Sequence, residues 1–267
     1  MPESLKPLTW QATPLVKATA GLHALAAAGL LLPGAWPWCL GALVTNHVVL
    51  AAAGLWPRSQ LLGPNLTHLP RAGKSVAITI DDGPDLAVTP AVLDILESRQ
   101  ALATFFCIGA QVQKHPALAR EIVQRGHAVG NHSQNHRHHF SLMTAGQIRH
   151  ELTQAQTTIE DITGFTPQYF RAPAGLRNIF LDPVLHQLEL QLVSWTRRGF
   201  DTRVADPTKV LRRLTKQLLP GDILLLHDHH AAITSSGKPV VLEVLPDLLD
   251  TIAASGYRTV RLEKTVT

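Results

Sequence analysis

The stretch "AITIDDGPD", Ala77 to Asp85, is a run of β-formers that ends in two adjacent carboxylates followed by Gly-Pro. Asp, Gly and Pro are ordinary turn residues, so a strand entering a turn explains the composition. It does not explain two neighbouring anions, which repel each other. What the strand lacks is equally informative. An open doubly wound sheet that binds nucleotides carries a Gly-rich loop after its first strand; here Asp-Asp-Gly-Pro stands in that place.

Strand-like and helix-like patterns alternate from Ser75 onward. Strands are predicted at 76–80, 103–107, 127–130, 168–171, 190–195, 222–226 and 257–262. Helices are predicted at 89–99, 116–125, 144–162, 179–188, 207–218 and 240–254. Apolar spacing in "TPAVLDILES" and "PTKVLRRLTKQLL" gives one buried helical face. Pro90 and Pro207 suit first-turn positions, and Gly126, Gly164 and Gly256 fall where helices would end. Strands separated by helices predict a parallel α/β architecture. Without a nucleotide loop, a barrel-like closure fits better than an open sheet, and in barrels functional groups gather at the C-terminal strand ends.

The N-terminal part differs in character. Hydrophobic residues make up 45% of the 267-residue chain and charged residues only 16%, a shortfall concentrated before residue 57. Residues 18–32, "ATAGLHALAAAGLLL", and residues 38–56 are apolar runs near the lower limit of the roughly 20 residues that cross a bilayer. The preferred reading of 1–56 is a two-helix membrane hairpin; two helices buried on the main domain and a cleaved signal peptide are the alternatives. Lys6 and Lys17 precede the first run, Arg58 and Arg71 follow the second, and the turn between carries no charge. The positive-inside rule then places both ends, and the main domain, on the cytoplasmic side of the cell membrane. Residues 57–74, punctuated by Pro and Gly, read as a linker to a catalytic domain at 75–267.

The net charge is +4 with no dense Lys/Arg run, which argues against nucleic acid as a partner, and no protein partner is predicted. Cys39 and Cys107 form neither a disulfide framework nor a CxxC metal pattern. Histidine is the unusual residue: there are 14, several of them clustered.

Four predicted strand ends carry chemistry. Asp81 and Asp82 close the first, and because side chains alternate in extended chain the two carboxylates need not share a role. One could meet a metal while the other faces substrate or water. In "GNHSQNHRHH", His132 and His136 are four residues apart, and one helical turn would put both on one face. With a remote carboxylate they suggest a two-His, one-carboxylate site for zinc or another divalent ion. His138 and His139 read as surface. Arg171 ends the fourth strand, and His227 in "DILLLHDHH" ends a buried one, a position suited to a general acid or base. Each feature alone has an ordinary structural explanation; the four together do not.

In this combination the chain resembles the polysaccharide deacetylase family with the NodB-homology domain, also called carbohydrate esterase family four. The motifs that carry the likeness are "TIDDGP" (79–84), "HSQNH" (132–136), "RAPAG" (171–175) and "LLLH" (224–227). The resemblance implies a distorted (β/α) barrel of about seven parallel strands and metal-dependent removal of N- or O-acyl groups from sugars. It implies Asp82, His132 and His136 as metal ligands, with Zn2+ favoured and Co2+ or another divalent ion as alternatives. Asp81 would be the general base, His227 the general acid, and Arg171 the group that keeps Asp81 ionised. Two departures stand out: Asp201 is followed by Thr202 where the family usually has Trp, and Ala174 replaces an aromatic. Asp201 stands as a candidate partner for His227, and the departures bear on the pocket walls and therefore on the substrate. The expected function is N-deacetylation of an amino-sugar polysaccharide or oligosaccharide. A deformylase or deacetylase of a lipid-linked sugar is one alternative; a non-catalytic, metal-dependent sugar-binding module is another of a different class.

Overall fold

The computed structural model describes residues 9–70 and 73–263. β1 (Ser75–Asp81) is buried at every position, as a parallel strand covered on both faces must be. Along one edge it pairs with β7 (Ile223–His227), and along the other with β2 (Ala103–Cys107) and, nearer its start, β8 (Arg258–Val260). β3 (Ala128–Asn131), β4 (Tyr169–Phe170) and β5 (Gln191–Leu192) continue outward from β2, and β6 (Arg197–Arg198) lies beside β7. All pairings between these strands are parallel, and the sheet curls into a half-barrel.

Period-two alternation sorts β1 by side. Ile78 and Ile80 meet Leu93 and Leu96 of α3 (Thr89–Ser98), Val210 of α8 (Pro207–Thr215) and Leu245 and Leu248 of α9 (Val240–Ala254) in the main apolar core. Ala77 belongs instead to an inner cluster with Phe106, Tyr169, Val193 and Ile223. Thr79 and Asp81 share that inner side, where Arg171 reaches both. The predicted strand at 190–195 is shorter than expected because its chain changes partner. Val193 N–H donates to Phe170 at 2.8 Å, and three residues on Thr196 N–H donates to Ile223 at 2.9 Å. One extended stretch thus links the β4 side of the curl to β7.

The remaining helices are α4 (Gly109–Lys114), α5 (Pro116–Gln124), α6 (Ala145–Thr163) and α7 (Leu181–Gln187). α4 is too short to have shown a period in the sequence. Gly126, Gly164 and Gly256 all take positive φ, 85°, 69° and 72°, at or just after helix ends, where the missing Cβ permits the left-handed turn.

Residues 57–70, expected to be a linker, are bonded to the barrel in part. Leu66 exchanges hydrogen bonds with Leu192 and Ser194, and Leu69 N–H donates to Gly221. Before them, α1 (Pro14–Gly29) and α2 (Trp36–Leu55) pack together through Thr19 Oγ1–Asn46 Oδ1 at 3.1 Å and an edge-on His23–His47 contact. The sequence suggested two spans. Among the described residues only α2, with 20 residues and mean hydropathy 1.6, is long and apolar enough to cross a bilayer; α1 stops at 16 residues. Lys6 and Arg71, two of the flanking cations, lie outside the described residues.

Candidate active site

Asp81 and His227 stand opposite each other in register on neighbouring strands β1 and β7. Asp81 turns inward, where its Oδ1 accepts from Arg171 Nη1 at 2.7 Å. Arg171 is fully buried, and its charge is matched rather than stranded. Nη1 also donates to Thr79 Oγ1, Nη2 to the Ser194 carbonyl at 2.8 Å and Nε to the Val193 carbonyl at 3.3 Å. The guanidinium lies 4.1 Å from the Phe106 ring centroid. A buried ion pair is tolerable only with its hydrogen bonds satisfied in this way.

The strand ends at Asp81, and Asp82 just beyond it takes φ 78°, a left-handed conformation that Asp tolerates better than most residues. This turn swings its carboxylate away from Asp81 and toward two imidazoles. Asp82 Oδ1 lies 3.3 Å from His132 Nε2 and 3.4 Å from His136 Nε2. Residues 132–136 form no helical turn, contrary to the sequence expectation. Ser133 and His136 have φ 63° and 47°, and side chains hold the loop open. Asn131 Oδ1 accepts from Ser133 N–H, Ser133 Oγ accepts from His136 N–H, and Glu151 of α6 accepts from Asn135 N–H. Such local bonds compete with helix formation.

One donor atom each from Asp82, His132 and His136 falls within 4.8 Å of the others. His132 Nδ1 donates to the Arg171 carbonyl at 2.8 Å, which leaves Nε2 as the free donor, the usual outer support of a metal-binding imidazole. Separations of 3.3 and 3.4 Å match the edge of a tetrahedron with bonds of about 2.0–2.1 Å. The set therefore fits a divalent cation with nitrogen and oxygen ligands. Burial opposes ionisation of Asp82, but hydrogen bonds with His132 and His230 and the charges of His132 and His227 hold its pKa well below the carboxylate range. Burial, reinforced by His132, lowers the His136 pKa to about 4, keeping that imidazole neutral and able to ligate.

His227 Nδ1 lies 2.9 Å from Asp201 Oδ1, while its own backbone N–H donates to Asp201 Oδ2 at 2.7 Å. Asp201 is fully buried, and the pairing expected from the sequence is present. Burial would lower the His227 pKa; the Asp201 hydrogen bond and the charges of Asp201, Asp81 and Asp82 outweigh it and raise it to about 9. Nδ1 is thus engaged, the imidazole carries its proton at neutral pH, and Nε2 is left to act.

His229 and His230 escaped the sequence reading. His229 Nδ1 meets Asp85 Oδ2 at 2.6 Å, and His230 Nδ1 lies 3.6 Å from Asp82 Oδ2. Thr89 Oγ1 donates to buried Asp228, whose pKa is raised to about 7 by burial, then by the charge of Asp82. These pairs tie the Asp-Asp-Gly-Pro turn to the loop after β7. The run "HDHH" was the available signal; its carboxylate partners lie far away in sequence. In the third motif Gly175 takes φ 74°, and a Cβ there would strike Trp195 and Pro57.

A buried carboxylate and imidazole on adjacent strand ends, beside a two-His, one-Asp cluster, form a candidate hydrolytic site on a curled parallel βα sheet. The sequence profile described as "Polysaccharide deacetylase" matches residues 68–193. The chain is 31% identical over 199 residues to a peptidoglycan-N-acetylglucosamine deacetylase of Bacillus cereus, covering 74% of this chain and 90% of the relative. It is 35% identical over 191 residues to a chitooligosaccharide deacetylase of Azorhizobium caulinodans, covering 68% and 90%. A similar solved structure is a CE4-family pseudoenzyme from Bacillus anthracis, with TM-score 0.66, 25% identity, and coverage of 73% of this chain and 66% of that one. The chain belongs to the polysaccharide deacetylase family, and by that membership it is a carbohydrate deacetylase, a hydrolase of carbon–nitrogen bonds.

Proposed function

We propose that the chain hydrolyses the N-acetyl group of amino-sugar residues in a polysaccharide or oligosaccharide. The observation that carries this reading is the pairing of Asp81–Arg171 with His227–Asp201 on neighbouring strand ends. A divalent cation held by Asp82, His132 and His136, zinc before cobalt, would supply Lewis acidity toward the acyl carbonyl and the attacking water. Asp81 Oδ1 is occupied by Arg171, whereas Oδ2 faces the donor cluster at 3.8 Å from His132 Nε2. Oδ2 is therefore the atom that takes the water's proton. His227 Nε2 gives its proton to the sugar nitrogen as the C–N bond breaks, so acetate and a free amine leave. Each proton transfer contributes roughly 10²–10⁴-fold. Arg171 orients Asp81 without touching substrate, and Asp201 does the same for His227.

Likeness to a pseudoenzyme makes the complete acid–base set the deciding feature, since a sugar-binding module has no use for one. The test is acetate release from N-acetylglucosamine oligomers, with and without chelator. Release that stops with chelator and falls in Asp81→Asn is expected; full activity in Asp81→Asn would remove the assignment. Membrane association through α2 accompanies this reading, with Lys17 and Arg58 as the described cations favouring a cytoplasmic catalytic domain. A reporter fused after Pro70 that works only outside the cytoplasm would reverse that orientation.

A further inference from the structure

A groove of about 420 Å³ opens between the second half of α2 and the loops that follow the second and third motifs. Its volume falls in the range of ligand pockets. Leu50, Ala51 and Leu55 of α2 form one wall; Leu142 and Ile179 form the other. The motifs from which these loops continue build the candidate site. His132 in one bonds to the Arg171 carbonyl in the other, and farther out Asn178 Nδ2 bonds to the Ser141 and Met143 carbonyls. The groove is thus the outer end of a structure whose inner end holds the donor cluster.

Its chemistry is graded. The Asn178 amide is spent on those carbonyls and on Phe180 N–H, so the walls are apolar. The rim is apolar too: Leu142 is 82% exposed and Leu55 62%. These residues continue the surface of the one described helix able to cross a bilayer, of whose apolar window only 11% is buried. Positive charge sits beside the apolar walls. Arg177 lines the groove and is 4% exposed; its Nη atoms donate to the Ser59 and Gly63 carbonyls, while its Nε has no hydrogen-bond partner among the described residues. Between Leu142 and His136 the loop displays Arg137, exposed and 3.4 Å from Glu151 Oε1. Along the loop from Leu142 through Arg137 to His136, an apolar wall gives way to a guanidinium and then to the donor cluster, the order of a hydrocarbon chain, a phosphate and a sugar.

We propose that this groove holds the hydrocarbon chain of a phosphate-linked lipid carrier whose acetylated amino sugar is the substrate. The proposal rests on the deacetylase reading and names its substrate class. It places the reaction after a glycosyl transfer onto the lipid.

The test uses the full chain in nanodiscs with a photoreactive polyprenyl phosphate, followed by peptide mapping. Labelling should fall in 137–143, 176–180 or the second half of α2. Ala51→Phe, which fills the groove, and Leu142→Asp, at a position exposed enough to spare the fold, should each reduce labelling about 10-fold. Leu219→Asp, next to the start of β7, should not change it. Labelling confined to other segments, undiminished labelling in both groove variants, or crosslinks joining two copies through Leu142 would overturn the proposal. A parallel assay compares acetate release from polyprenyl-phosphate-linked N-acetylglucosamine and from a free oligosaccharide. Release from the free sugar with no groove labelling removes the lipid and leaves the deacetylase. Groove labelling with release from neither substrate removes the deacetylase and leaves the lipid site.

Discussion

Histidines meet in two regions of this molecule, and the regions treat them differently. In the N-terminal hairpin, His23 and His47 touch edge to edge, and each directs Nδ1 to the carbonyl four residues back in its own helix, at 2.8 Å in both cases. No carboxylate is paired with either among the described residues. At the barrel's strand ends, His132, His136, His227, His229 and His230 each face an Asp supplied by another segment. A helix satisfies an imidazole locally; a parallel sheet delivers carboxylate partners to it from remote sequence.

The sharpest way to break this comparison is His227→Ala. Its kcat should fall about 10²–10⁴-fold, with metal content by elemental analysis unchanged. An unaltered kcat would make His227 as inert as His23. Next comes Asp201→Asn, read as a pH profile. A general-acid His227 must be protonated, so kcat/KM should decline as pH rises through about 9. Without the carboxylate that raises its pKa, that falling limb should move to lower pH by more than a unit. A limb that stays in place would show that Asp201 does not set it. A smaller effect is expected from His230→Ala, which frees Asp82 Oδ2. Zinc affinity by competition titration should drop about 10-fold, as for the loss of an outer-sphere partner, and His230→Asn, which restores a donor near the Nδ1 position, should recover part of it. The smallest effect belongs to the hairpin: His23→Ala should change unfolding free energy by no more than about 0.5 kcal/mol, measured by denaturant titration in detergent.

How much of this was legible in sequence depends on where each partner lies. β1, the helical faces of α3 and α8, and the glycines after α5, α6 and α9 follow from local periodicity and backbone preference. The strand-end residues Asp81, Asp82, His132, His136, Arg171 and His227 were readable because each sits beside a strand pattern. The loop shape at 132–136 was not. Spacing alone suggested a helical turn, and the bonds that prevent it use Asn131, Ser133 and, from α6, Glu151. His229 and His230 were missed because Asp85 and Asp82 reach them only across the β1–β7 pairing. The split of β5 from β6 was equally hidden, since it arises from a change of hydrogen-bond partner rather than a change in residue type.

That crossing stretch from β4 to β7 has a consequence for local unfolding. Two of the acceptors that hold the Arg171 guanidinium, the carbonyls of Val193 and Ser194, belong to it. If the seam between the two sides of the sheet opened, Arg171 would lose both at once, and Asp81 would lose its oriented cation. Closing the seam and orienting the Asp81 carboxylate are therefore one event. The amides of Val193 and Thr196 should exchange hydrogen as slowly as those at the centre of β1, because both are bonded across this seam and Arg171 ties it to Asp81.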